Sequence, residues 1–163
     1  MDYLWSPWRY QYVQTAGGEG VCIFCHHAAD QNDEANFVVY RGKRNFVLLN
    51  LYPYTTGHLM IAPYEHVATL DAAAGETLEE MMLLAQRSER HLRAIYQPQG
   101  FNLGMNIGHS AGAGIAGHIH MHVLPRWTGD TSFITTVSET RVLPEDLPVT
   151  WRKVSEAFRT QIS

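Results

Sequence analysis

The 163-residue chain has no apolar run near the roughly 18 residues that a membrane-spanning helix requires. Its opening, MDYLWSPWRY, lacks the basic segment and the apolar core of a secretory leader, which points to a cytoplasmic protein with no membrane partner. Charge is scarce. Asp, Glu, Lys and Arg make up 17% of the chain and sum to −4, so binding to nucleic acid through neutralised phosphates is excluded as its principal mode. Cysteine occurs only twice, too seldom for a disulfide-stapled secreted scaffold. Repeats and low-complexity tracts are absent. What remains is 45% hydrophobic residues, in the globular range, and a length suited to one core. A small-molecule partner is favoured.

Punctuation and periodicity place the elements. The segment LWSPWRYQYVQTAGGEGV, with Tyr3, Trp5, Trp8, Tyr10 and Tyr12 near a Gly-rich turn, reads as an aromatic arm over 1–20. It is expected to pack on the core or on a partner subunit, with ligand stacking as the alternative. NFVVYRGKRNFVLLN holds two β-rich runs, 36–40 and 45–50, around the turn RGKR, and a third run follows at His58–Ala62. From Thr77 to Tyr96 the residues Leu78, Met81, Met82, Ala85, Leu92 and Ile95 recur at helical spacing, and Pro98 and Gly100 end the helix. Strands are expected at 101–106, 117–124 and 131–137, then an amphipathic helix with Val149, Trp151, Val154 and Phe158. Hairpins precede the long helix instead of alternating with helices, so the fold class is α+β with an antiparallel sheet of about five strands. The length suits one domain over 1–163, expected as the arm, a core over 21–136 and a C-terminal extension over 137–163.

Three of the nine histidines stand every second residue in GHIHMHVLPRW: His118, His120 and His122. In a strand such residues share a face, roughly 6.6 Å apart, while Ile119, Met121 and Val123 fill the other face. A solvent-facing strand that merely needs polarity draws on Lys, Glu, Thr or Arg, whereas three imidazoles concentrate groups that titrate near neutrality. Two readings stand: metal ligation, and a nucleophile with its supports. Immediately upstream, GMNIGHSAGAGIAG supplies Gly104, Gly108, Gly112, Gly114 and Gly117 beside Asn106 and Ser110. Glycine lets backbone N–H groups approach an anion, so phosphate would sit between those donors and a nucleophilic imidazole.

On these residues the chain resembles the histidine triad (HIT) superfamily of nucleotide hydrolases and transferases. HIHMHVLPR fits its motif, NLYPYTTGHLMIAP is similar to its segment before the helix, and MNIGHSAGAGIAGH stands at its phosphate loop. VLPRWTGDTSF resembles the branch that acts on dinucleoside polyphosphates. The resemblance runs from about Cys22 to Phe133 and implies a homodimer, an α-phosphate site and a covalent nucleotidyl intermediate on His120. It makes His122 a donor to phosphate, and Asn106 with Gly112, Ala113 and Gly114 the phosphate cradle. Asn50 matches the family's ribose contact, and His58 matches a histidine near the site, as a catalytic part or a structural one. The loop departs from the family's hydrolytic pattern. Ala113 and Gly114 stand where many hydrolytic members carry Gln followed by Ser or Thr, and the loop is a residue longer, which resembles the phosphorylases that use inorganic phosphate as acceptor. A nucleotide-binding or sensing module without turnover is the alternative.

Cys22 and Cys25, in VCIFCHH, have the spacing of a zinc knuckle or a redox pair, and a reduced pair packed in the core is the third possibility. The resemblance supplies two further ligands, His66 in APYEHV and the first triad histidine, His118, for a closed structural zinc site. His26 and His27 rank second, because a ligand adjoining Cys25 strains a tetrahedron. An exposed sheet edge and the set Met81, Met82 and Leu84 would motivate the dimer.

Overall fold

In the computed structural model, which describes residues 22–131, 135 and 143–160, five strands form one antiparallel sheet. They are β1 (Val38–Arg41), β2 (Asn45–Leu49), β3 (Leu59–Pro63), β4 (Gly100–Gly104) and β5 (Met121–Arg126). Their spatial order is β1-β2-β3-β5-β4, so β5 is interior and β4 forms an edge. Helices α1 (Ile23–Ala29), α2 (Gly75–Tyr96) and α3 (Leu147–Arg159) complete the elements, with a short 3₁₀ turn at His109–Ala111. The aromatic arm and most of the strand expected over 131–137 lie outside the described residues. Among the described residues no helix is long and apolar enough to cross a membrane.

The FVLL run of β2 is buried throughout because both faces of the sheet are covered. Val47 and Leu49 face a core built with Leu59, Ile61, Val123, Met81, Leu92, Val154 and Phe158, beneath α2 and α3. Phe46 and Leu48 face the opposite layer, where Phe24 of α1 closes a smaller cluster with Val38 and Ala62. Alternation in β5 follows the same rule: Val123 enters the α2/α3 core, with Ile119 before the strand. The triad histidines therefore fall on the α1 side.

The RGKR turn is held from outside. Glu80 of α2 accepts the backbone N–H groups of Lys43, Arg44 and Asn45 at 2.7–2.8 Å and the Asn45 side chain at 2.9 Å. Burial pushes its carboxyl up, but these bonds outweigh that and hold it below its ordinary 4.5. Trp151 Nε1–H donates to the Val38 carbonyl at 2.9 Å, tying α3 to β1.

Several boundaries differ from the sequence expectation. Helix α1 was not anticipated, since its two turns are too short for a periodic signal. The strand expected over 117–124 begins only at Met121 and runs to Arg126. His118 and His120 precede it, because the Ile119 N–H bonds the Val67 carbonyl at 2.8 Å instead of entering the sheet ladder. The set Met81, Met82 and Leu84 divides: Met81 and Leu84 are core residues, whereas Met82 and its neighbour Leu83 are exposed.

Candidate active site and metal centre

Each triad imidazole has one ring nitrogen committed to a different partner, which decides its tautomer. His118 donates Nε2–H to the Pro63 carbonyl at 2.9 Å, which turns the Nδ1 lone pair toward Cys22 and Cys25, 3.3 and 3.7 Å from their sulfurs. His120 donates Nδ1–H to the carbonyl of His118 at 2.9 Å, so its Nε2 carries the lone pair. Burial holds the His118 and His120 imidazoles below the ordinary range, in the neutral form. The third is set by a relay. The Tyr54 N–H donates to His58 Nδ1 at 3.2 Å, and the Asn50 amide meets the same nitrogen at 3.4 Å. His58 therefore presents Nε2–H to His122 Nδ1 at 2.8 Å, and the His122 proton sits on Nε2.

Three rings in sequence thus show a lone pair toward the cysteines, a lone pair on His120 Nε2, and an N–H donor on His122 Nε2. A neutral imidazole with a fixed tautomer is a competent nucleophile, and an adjacent N–H can stabilise charge on a phosphoryl oxygen. Phe24 supports the row from α1, its ring 4.7 Å from His120 and 5.2 Å from His118. The Tyr54 ring packs tilted against His58, with centroids 4.8 Å apart. Neither aromatic was singled out from the sequence; the aromatic inside CIFC and the one four residues before His58 were the available signals.

The loop between β4 and His118 starts beside the triad, since Gly104 pairs with His122 across the sheet. Gly108 and Gly112 take positive φ, 80° and 83°, conformations that disfavour a Cβ. Within the loop the Gly112 N–H donates to the His109 carbonyl at 2.9 Å and the Ala113 N–H to the Gly108 carbonyl at 3.3 Å. Ala113 is buried, Asn106 and Gly114 are half-buried, and Asn50 is buried with its Oδ1 accepting the Tyr52 N–H at 3.0 Å.

Cys22, Cys25, His66 and His118 place one ligand atom each within 4.8 Å of one another. Cys25 Sγ and His66 Nδ1 are 3.2 Å apart. A tetrahedral zinc with ordinary Zn–S and Zn–N bonds sets its sulfur–nitrogen edges at about 3.6 Å, so the spacing suits that ion. His26 and His27 do not belong to the group. Burial and the neighbouring Cys22 push the Cys25 thiol up, which disfavours a reactive redox pair. Arg41 braces the helix that carries Cys25 and begins after Cys22. It donates to the carbonyls of His27, Ala28 and Asp30 at 2.5–3.0 Å, at the negative end of α1, and pairs with Asp33 at 2.8 Å.

Known proteins resemble this chain in sequence and in fold. A family model described as HIT domain matches residues 31–129. The chain is 36% identical over 168 aligned residues to a protein of Mycobacterium tuberculosis named AP-4-A phosphorylase, covering 99% of this chain and 86% of that one. Among solved structures, a zinc-bound histidine triad family protein from Mycobacterium smegmatis superposes with a TM-score of 0.68 and 28% identity, over 85% of this chain and 93% of that one. A Plasmodium falciparum diadenosine triphosphate hydrolase shares the fold at a TM-score of 0.64 and 16% identity, over 78% and 79% of the two chains.

Proposed function

Because the chain belongs to the HIT domain family, we propose that it cleaves dinucleoside polyphosphates at the α-phosphate through a nucleotidyl intermediate on His120. The observation that carries this is the tautomer pattern: a buried neutral His120 with Nδ1–H anchored on the His118 carbonyl, beside a His122 whose proton sits on Nε2. His120 Nε2 attacks the α-phosphorus, the P–N bond forms as the bond to the leaving polyphosphate oxygen breaks, and His122 Nε2–H donates to a phosphoryl oxygen. An acceptor then attacks the same phosphorus and breaks the P–N bond. Asn106 and the loop segment of Gly112, Ala113 and Gly114, whose Gly112 and Ala113 N–H groups are taken by the His109 and Gly108 carbonyls, form the phosphate cradle, with Asn50 on the ribose. His58 is a positioning residue.

The acceptor is inorganic phosphate, giving a nucleoside diphosphate, in preference to water. The small Ala113–Gly114 stretch and the 36% identity to a protein named AP-4-A phosphorylase support this reading. Cys22, Cys25, His66 and His118 hold a structural zinc, which when bound supplies cross-linking of α1 to the triad segment and no part of the reaction. Two copies pair in solution; the β4 edge with exposed Leu103, and the exposed Met82 and Leu83 of α2, support that pairing.

Incubating the protein with diadenosine tetraphosphate, with and without phosphate, tests the chemistry. Adenosine diphosphate is expected only when phosphate is present, and His120→Ala is expected to abolish product while leaving binding largely intact. Turnover retained by that variant would overturn the assignment, and adenosine monophosphate in both reactions would make water the acceptor.

A further inference from the structure

The turn that carries Tyr54 and His58, between β2 and β3, meets the end of α2 through a residue with no side chain. Gly57 directly precedes His58 and takes a φ of 77°, a left-handed conformation that other residues adopt only at a cost. A Cβ at this position would lie 3.0 Å from Leu92 Cδ2, 3.3 Å from Tyr96 Cε2 and 3.4 Å from Pro125 Cγ. Helix α2 and strand β5 thus press on the turn together. Its own bonds close it: the His58 N–H donates to the Thr55 carbonyl at 3.2 Å, and the Asn50 N–H to the His58 carbonyl at 3.0 Å.

None of these neighbours is free to yield. Leu92 is fully buried in the core, and Pro125 is buried within β5. Tyr96, the last residue of α2, is half-buried, but its hydroxyl donates to Glu145 at 2.5 Å. The same carboxylate accepts the Thr150 hydroxyl at 2.9 Å and pairs with Lys153, whose Nζ lies 5.7 Å from the centre of the Tyr96 ring. Thr150 and Lys153 belong to α3, and Glu145 stands just before it. Contacts therefore run from α3 through Tyr96 and Gly57 to His58, and from His58 to His122 at 2.8 Å. A displacement of about 0.5 Å at His58 would stretch that last bond beyond the usual range.

We propose that Gly57 and Tyr96 are positioning residues: Tyr96, locked by Glu145, and the bare backbone of Gly57 set where the turn between β2 and β3 rests, so that His58 keeps its Nε2–H on His122. The proposal rests on the reading of the triad given above and extends it from the relay to the packing that seats the relay. Through these contacts the C-terminal helix bears on the tautomer of His122, the ring that donates to phosphate. Gly57 and Tyr96 act on the bond-breaking step by orientation, not on substrate binding.

The test joins steady-state kinetics on diadenosine tetraphosphate to ¹⁵N spectra of the imidazoles. Gly57→Ala is expected to lower kcat about tenfold, less than the hundredfold that a 1 Å misplacement can cost, with KM little changed. Its His122 should show both tautomers where wild type shows Nε2–H. Tyr96→Phe keeps the ring and removes the bond to Glu145; it is the second variant should Gly57→Ala not fold, and a smaller fall in kcat with unchanged KM is expected. Gly129→Ala is the control. Gly129 has a φ of 83°, and a Cβ there would meet no atom within 4 Å beyond its chain neighbours, so the substitution brings the backbone strain without the contacts and wild-type kcat is expected. Wild-type kcat in Gly57→Ala or in Tyr96→Phe, a rise in KM in place of the fall in kcat, an equal fall in Gly129→Ala, or an unchanged His122 tautomer in Gly57→Ala would each overturn the proposal. Failure of the parent reading is distinguishable: wild type would release no product from the dinucleotide, while the tautomer change in Gly57→Ala would remain.

Discussion

His58 Nε2 lies 2.8 Å from His122 Nδ1, and the Tyr54 N–H behind it determines which of the two rings supplies the proton. The pair works as a unit only while His58 Nδ1 accepts. Replacing His58 with Phe keeps an aromatic ring and removes the relay, so His122 loses its tautomer preference. Turnover of diadenosine tetraphosphate is expected to fall about tenfold to a hundredfold, the usual scale for losing a residue that orients another, with KM much less affected. An unchanged kcat would show that His122 does not depend on His58.

Chelation should separate the metal's role from the chemistry. Cys22→Ser and Cys25→Ser are expected to reduce bound zinc, read by elemental analysis, and to destabilise the protein by about 3 kcal/mol, or roughly 10 °C in Tm for a chain of this size. A wild-type melting curve unmoved by a strong chelator, with no zinc in the purified protein, would end the metal assignment.

Arg41 links that site to the sheet. Arg41→Met keeps much of the aliphatic stem and removes three carbonyl contacts at the end of α1 and the pair with Asp33. Faster amide hydrogen exchange over 23–29 is expected, together with a loss of about 2 kcal/mol of stability. Exchange in α1 that matches wild type would mean the cysteines and Phe24 alone seat the helix.

Glu80 makes a pH-dependent contribution. Its folded pKa lies below its ordinary 4.5, so the bonds to Lys43, Arg44 and Asn45 add stability that is complete above 4.5 and fades as pH falls through the folded value. Glu80→Gln should cost about 1–2 kcal/mol at pH 7, measured by urea denaturation, and less at pH 3. A difference that grows on acidification would have the wrong sign.

Much of this protein was legible before any coordinates. Strict alternation in IHMHV assigned one face to imidazole and the other to the core, and the structure puts Ile119 and Val123 in the α2/α3 core as that pattern requires. The apolar period of α2 and the two-strand signal around RGKR were equally local. Helix α1 was not, because seven residues cannot display a period.

What the sequence by itself determined is the alphabet of the site: which residues repeat, at what spacing, on which face. Tertiary structure alone decided their roles as donors and acceptors. Pro63, 55 residues from His118, takes one ring's proton, and His58, 64 residues from His122, orders another's. Cys25 meets His66 across 41 residues. A tautomer or a ligand set depends on which atoms arrive within about 3 Å, and only the folded sheet brings such distant positions that close.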